Sequence, residues 1–252
     1  MRIAMACAGM LLAACAHAQQ QGAVSLGAGL HYSSGDYGAG STTKITSLAA
    51  TASYQKERWD YKASLPFLEV EGPGEVIPGV GRTRGQASAN RKESGLGDLV
   101  LSATYAALYD HARAAGMDLT GKLKLPTADE SDGLGTGEVD AVLAVDLYRT
   151  FDRTTGFGGI SYHILGDSPS LPLENAWGLN FGASYKVNER DSAGAMFDTR
   201  QRVIAGGAPQ RELLGFFSRQ FDRLWKGQAY ALIGLADGSP DWGFGLSFAR
   251  PL

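Results

Sequence analysis

The sequence predicts an all-β fold, an antiparallel up-and-down transmembrane β-barrel of about twelve strands. Three observations predict it. Residues 19–252 parse into about twelve runs in which apolar or small residues alternate with polar ones, the period of a strand with one greasy and one wet face. The connections alternate between short polar turns and longer stretches rich in Gly and Pro, as expected when turns gather at one rim and loops at the other. The chain opens on an export signal, with Arg2, an apolar stretch over 3–14, and Ala16-His17-Ala18 as an A-x-A cleavage site before Gln19. The expected division is a signal peptide over 1–18 and an outer-membrane β-barrel domain over 19–252.

Composition narrows the classes. Net charge is only -3, so nothing pulls the chain toward nucleic acid. Hydrophobic content is 44%, but beyond the leader no apolar run approaches the length of a membrane-spanning helix. The 34 glycines suit turns and close β packing. Cys7 and Cys15 both lie in the leader, so cleavage after Ala18 leaves no disulfide, thiol nucleophile or Cys metal site. Leu12-Ala13-Ala14-Cys15 also reads as a lipobox, which keeps lipidation at Cys15 open as an alternative.

The runs justify themselves in order. The first, 23–33, puts Val24, Leu26, Ala28, Leu30 and Tyr32 on one face, and the second, 45–55, does so with Leu48, Ala50, Ala52 and Tyr54. A tight turn leads to 59–69, where Pro66 cannot donate to a ladder and is expected near a barrel rim. The long connection 70–94 carries Arg82, Arg84, Arg91 and Lys92. The fourth run, 95–108, is followed by a hairpin whose arms are 117–125 and 139–148. Leu119, Leu123, Leu143 and Leu147 stand on its apolar faces, with Lys122, Lys124, Asp140 and Asp146 opposite. Runs at 156–165, 177–187 and 192–201 keep the alternation; 211–221 blurs it, because LLGFFS is apolar at successive positions. Runs at 225–235 and 242–249 close the chain. Tyr54, Trp59, Tyr148, Tyr185 and Trp225 by the short turns, and Tyr32, Phe67, Trp177 and Trp242 by the long loops, read as two interfacial belts. A soluble sandwich also alternates; the connections and belts favour the barrel.

Four segments carry a family resemblance: LPFLEV at 65–70, GLGDLVLSATY at 95–105, KLKLPTADESDGLGTGEVD at 122–140 and GLADGSPDWGFGLSF at 234–248. With them the chain resembles the outer-membrane family labelled "MetA-pathway of phenol degradation", over nearly all of the mature sequence. The resemblance implies a barrel in a Gram-negative outer membrane and a role in passage of small, including aromatic, compounds. Barrels of this kind commonly end on an aromatic residue for assembly; here the chain ends Arg250-Pro251-Leu252, with Phe248 as the nearest aromatic.

The polar faces would point into the lumen, making Lys62, Asp98, Lys122, Lys124, Asp140, Asp146, Lys186, Asp198, Arg200 and Gln228 the expected lining of a polar channel. Charges that pair across strands and fill the lumen are the alternative. A lipid-modifying hydrolase using His31 and Ser33, two apart on one face, is a further reading, but no third group to orient the His is evident. His111 and His163 have no metal-ligand spacing, and the acidic loop Asp129, Glu130, Asp132, Glu138, Asp140 lacks that of a calcium loop. No cofactor, metal or catalytic residue is expected. The expected partners are outer-membrane lipid and lipopolysaccharide, which the basic cluster in 70–94 would contact, the barrel-assembly machinery, and a small-molecule solute.

Overall fold

The computed structural model describes residues 22–252 except 39, 75, 83–89 and 170. The expected leader with Cys7 and Cys15, and Arg84, lie outside the described residues. Strands β1 (Ala23–Gly35), β2 (Thr43–Lys56) and β3 (Trp59–Gly72) precede a small hairpin, β4 (Val76–Ile77) and β5 (Gly81–Arg82). There follow β6 (Arg91–Leu96), β7 (Leu99–Asp110), β8 (Ala115–Leu125), β9 (Asp140–Phe151) and β10 (Thr154–Ile164). The last are β11 (Ala176–Lys186), β12 (Asp191–Arg200), β13 (Gln210–Gln220), β14 (Lys226–Gly234) and β15 (Trp242–Pro251). Each main strand pairs antiparallel with its sequence neighbour, and β1 pairs with β15, which closes the sheet into a barrel. Because β6 and β7 together form one wall strand, the barrel has twelve.

The wall is inverted relative to a soluble core. Leu143 is 59% exposed, and Leu48, Leu147, Phe181, Ile233 and Phe248 are exposed beside it on the outer face. Lys124, Asp140 and Glu212 are turned inward, Glu212 to 1% exposure. An apolar exterior on a closed sheet with no free edge is the solution a bilayer demands, because no backbone group is left unpaired in hydrocarbon. The wall is that of a transmembrane barrel. Rings gather at both rims: Trp59 lies 4.8 Å from Tyr105 near the short turns, and Tyr162 lies 4.7 Å from Trp177 near the long loops.

Two local expectations change. The fourth run is two strands, broken at Gly97-Asp98. Pro66 of β3 faces that break, level with the end of β8, where its missing N–H costs no ladder bond and its carbonyl accepts from Gly97 N at 2.8 Å. Tyr148 does not join the outer belt. It shares the inner face with Asp146 and covers Gly116, its cross-strand partner.

Candidate functional site

Strand register arranges the lumen in diagonal bands. Asp118 stands opposite Asp146, Asp146 opposite Gly159, Gly159 opposite Asn180, Asn180 opposite Asp198, and Asp198 opposite Glu212. Since paired residues lie on one line across tilted strands, this acidic and amide band climbs from near the turn rim at β8 to the loop rim at β13. Lys122 is within electrostatic reach of Asp146 and Asp198, and Arg200 also faces Asp198.

One inward step below runs an apolar band that the alternating pattern did not foretell. Phe157, Met196, Leu214 and Leu232 follow one another along it, with Gly182 between the first two; Phe216 and Tyr230 pack beneath. The expected polar lumen is therefore polar only in part. The trace of this band in the sequence was the irregular run 211–221: Leu213, Gly215 and Phe217 face out, while Leu214 and Phe216 face in, so both faces are apolar.

The inward aromatics are laid flat by glycines. Tyr148 lies over Gly116, Phe157 over Gly182, Phe216 over Gly194 and Tyr230 over Gly245, each glycine being the ring's neighbour on the adjacent strand. A Cβ at any of these glycines would collide with the ring it carries. The rings line the wall instead of crossing it.

The opposite wall is built from small residues. Ser25, Gly29, Ser47, Ala49, Thr51 and Ser247 leave a cavity of about 130 Å³, into which Lys62, Gln228 and Tyr230 also project. Toward the loop rim the bore is narrowed. The β4–β5 hairpin folds inward, and Arg200 Nη1 donates to the Gly79 carbonyl at 3.0 Å. Tyr37, Ile45, Leu68, Val70, Val76 and Leu134 form a buried apolar cluster at that end. Burial in this cluster pushes the Tyr37 phenol above its usual range.

The ten expected lining residues divide by role. Lys124 sits between Asp98 and Asp140 at 3.1 and 3.2 Å and donates to Thr136 Oγ1 at 2.7 Å. Asp98 also accepts from Ala128 N, and Asp140 from Gly166 N. The segments 95–105 and 122–140 meet in this network, which ties the loop 126–139 down over the rim and buries Leu134 to 2%. Lys62, Lys122, Asp146, Asp198, Arg200 and Gln228 lie on the inner face around the bore. Lys186 is at the turn rim, exposed and paired with Glu189 at 2.8 Å, which holds the Glu189 carboxyl below its usual range. Sequence reasoning missed Glu212 and Tyr230.

The other candidates separate. His31 Nδ1 is 2.6 Å from the Tyr230 hydroxyl, whereas Ser33 is hydrogen bonded to Tyr37. His111 meets Tyr109 edge to face at 4.6 Å, and His163 Nε2 lies 3.0 Å from Ser161 Oγ. In the acidic loop the Asp129 carboxylate accepts from Ser131, which lowers its pKa. Lys92 pairs with Glu69 at 3.0 Å, and Arg91 turns to the other face beside Gly133, so the two do not form one cationic patch.

The fold has solved counterparts. The COG4313 outer membrane channel from Pseudomonas putida F1 is 18% identical with a TM-score of 0.74, over 93% of this chain and 97% of its own. The KdgM porin is 9% identical with a TM-score of 0.53, over 90% and 98%. The translocator domain of autotransporter NalP from Neisseria meningitidis is 12% identical with a TM-score of 0.50, over 98% and 95%. These likenesses establish the fold. No curated protein matches the chain in sequence. The family described as "Putative MetA-pathway of phenol degradation" matches residues 63–248, and the chain belongs to it.

Proposed function

We propose that this protein is a passive outer-membrane channel that carries small aromatic compounds along the small-residue wall of its lumen, without cofactor, catalysis or energy coupling. The observation that carries the reading is the cavity of about 130 Å³ on that wall, lined by small residues and by the Tyr230 ring laid flat on Gly245. It is close to the size of an apolar protein cavity that takes up benzene, about 150 Å³. The family description and the likeness to a solved outer-membrane channel support it. A hydrolytic role for His31 and Ser33 is less supported, because His31 is engaged by Tyr230 and Ser33 by Tyr37, so the two do not pair with each other.

Reconstitution of the purified chain in planar bilayers tests the proposal. Discrete conductance steps are expected, reduced when Gly29→Phe fills the cavity, since nothing closer than 3.5 Å resists a side chain there. A folded protein that never conducts overturns the reading.

A further inference from the structure

Charge is divided between the two walls of the lumen. The inward carboxylates Asp118, Asp146, Asp198 and Glu212 stand on β8, β9, β12 and β13. Four adjacent strands of the opposite wall, β14, β15, β1 and β2, contain no Asp or Glu at all. Their inner faces, with that of β3, build the cavity of about 130 Å³. Gln228, Ser247, Gly29 and Ala49 are register partners in turn along one inner row, and Lys226, Ala249, Gly27 and Thr51 along the next toward the turn rim. In the row after that, Ser53 pairs with Lys62. Lysines therefore flank the small-residue floor on both sides. Among the described residues no carboxylate lines the cavity, Gln228 Nε2 is buried there without an acceptor, and Lys62 forms no ion pair. The ionised groups that act on Lys62 are Asp60, on the turn-rim side of the cavity, and Lys122, beyond Ser102.

We infer that this cavity is an anion subsite, which takes a small carboxylate-bearing solute in preference to a neutral one of the same shape. The inference rests on the channel reading above and names a charge that reading leaves open. The apolar body of such a solute lies over Gly29 and Ala49, where the floor carries nothing larger than a methyl group. Its carboxylate is drawn to the flanks. A carboxylate only accepts hydrogen bonds, so it matches Lys62 Nζ and Gln228 Nε2, which only donate. A neutral solute fills the same space without answering the charge. The acidic band across the lumen repels an anion toward these carboxylate-free strands, and the low-dielectric walls of a narrow bore sharpen that field.

Ligand-observed NMR on the full-length protein, folded in uncharged micelles, compares benzoate with benzyl alcohol, which keeps the ring and the size and lacks the charge. Wild type is expected to bind benzoate about ten-fold more tightly, the worth of one charge-assisted hydrogen bond. Added salt should weaken benzoate alone. Lys62→Met, which keeps the length of the side chain, should bring the two solutes toward parity, and Lys62→Arg should keep the preference. Equal binding by folded wild type, or a preference that survives in Lys62→Met combined with Lys226→Met, overturns the inference. So does a wild-type preference indifferent to salt, a measurement that needs no variant to fold. Planar-bilayer recording keeps the two readings apart. Wild type that prefers benzoate in micelles but never conducts refutes the channel and leaves the subsite standing; wild type that conducts without that preference does the reverse.

Discussion

Lys124 and Asp140 face each other across β8 and β9, Nζ to Oδ2 at 3.2 Å, with side chains only 12% and 4% exposed. Asp98 approaches the same ammonium at 3.1 Å. The family-like segments 95–105 and 122–140 thus meet at one buried cation, and the most recognisable part of the sequence is a clamp on the loop 126–139.

Removing the cation should loosen that clamp. Lys124→Ala leaves two buried carboxylates facing each other, and is expected to cost about 3–5 kcal/mol. Urea unfolding of the reconstituted barrel measures this, and cleavage within 126–139 by added protease should quicken. Equal stability of variant and wild type would mean that the charges do not hold the loop.

Residues on the two faces of β8 should respond differently to the same change. Leu119 lies mid-strand and is 40% exposed on the lipid face, so Leu119→Arg should cost about 2–4 kcal/mol. Lys122 faces the lumen, so Lys122→Arg, which keeps the charge, should leave both stability and the reversal potential unchanged. Similar stability losses at both positions would count against this inside–outside assignment.

Arg200 links β12 to the inward hairpin through the Gly79 and Val80 carbonyls at 3.0 and 3.4 Å. Arg200→Ala frees the hairpin from that anchor. Single-channel conductance is expected to rise, with the heat-modifiable mobility of a folded barrel retained. Unchanged conductance would show that the hairpin does not narrow the bore.

The first atoms that an added Cβ at Gly116 would meet belong to the Tyr148 ring and hydroxyl. Gly116→Ala should therefore lift that ring off the wall and into the lumen near the turn rim. The expected result is a smaller conductance in a barrel that still folds; Tyr148→Ala in the same background should restore it.

Much of this was legible in a linear reading. The strand pattern at Val24, Leu26 and Leu30, or at Leu143 and Leu147, follows from the two-residue period, and the loop alternation sets the rims. The run 211–221 was hard to read because both its faces are apolar, one against lipid and the other against Met196 and Leu232. The tolerance of Pro66 depends on a break between β6 and β7, a property of the neighbouring strand that its own run does not record.

The sequence by itself determined the all-β class, the approximate strand ends, the greasy and wet faces and the family. These are local or compositional quantities, fixed by side-chain period and turn chemistry. Register and closure were left to the tertiary structure. They align Asp118, Asp146, Asp198 and Glu212 in one band, set Tyr230 over Gly245 within reach of His31, and bring Lys124 between Asp98 and Asp140. His31 and Tyr230, 199 positions apart, meet because the first and last strands close the barrel, and no period in the chain records that contact.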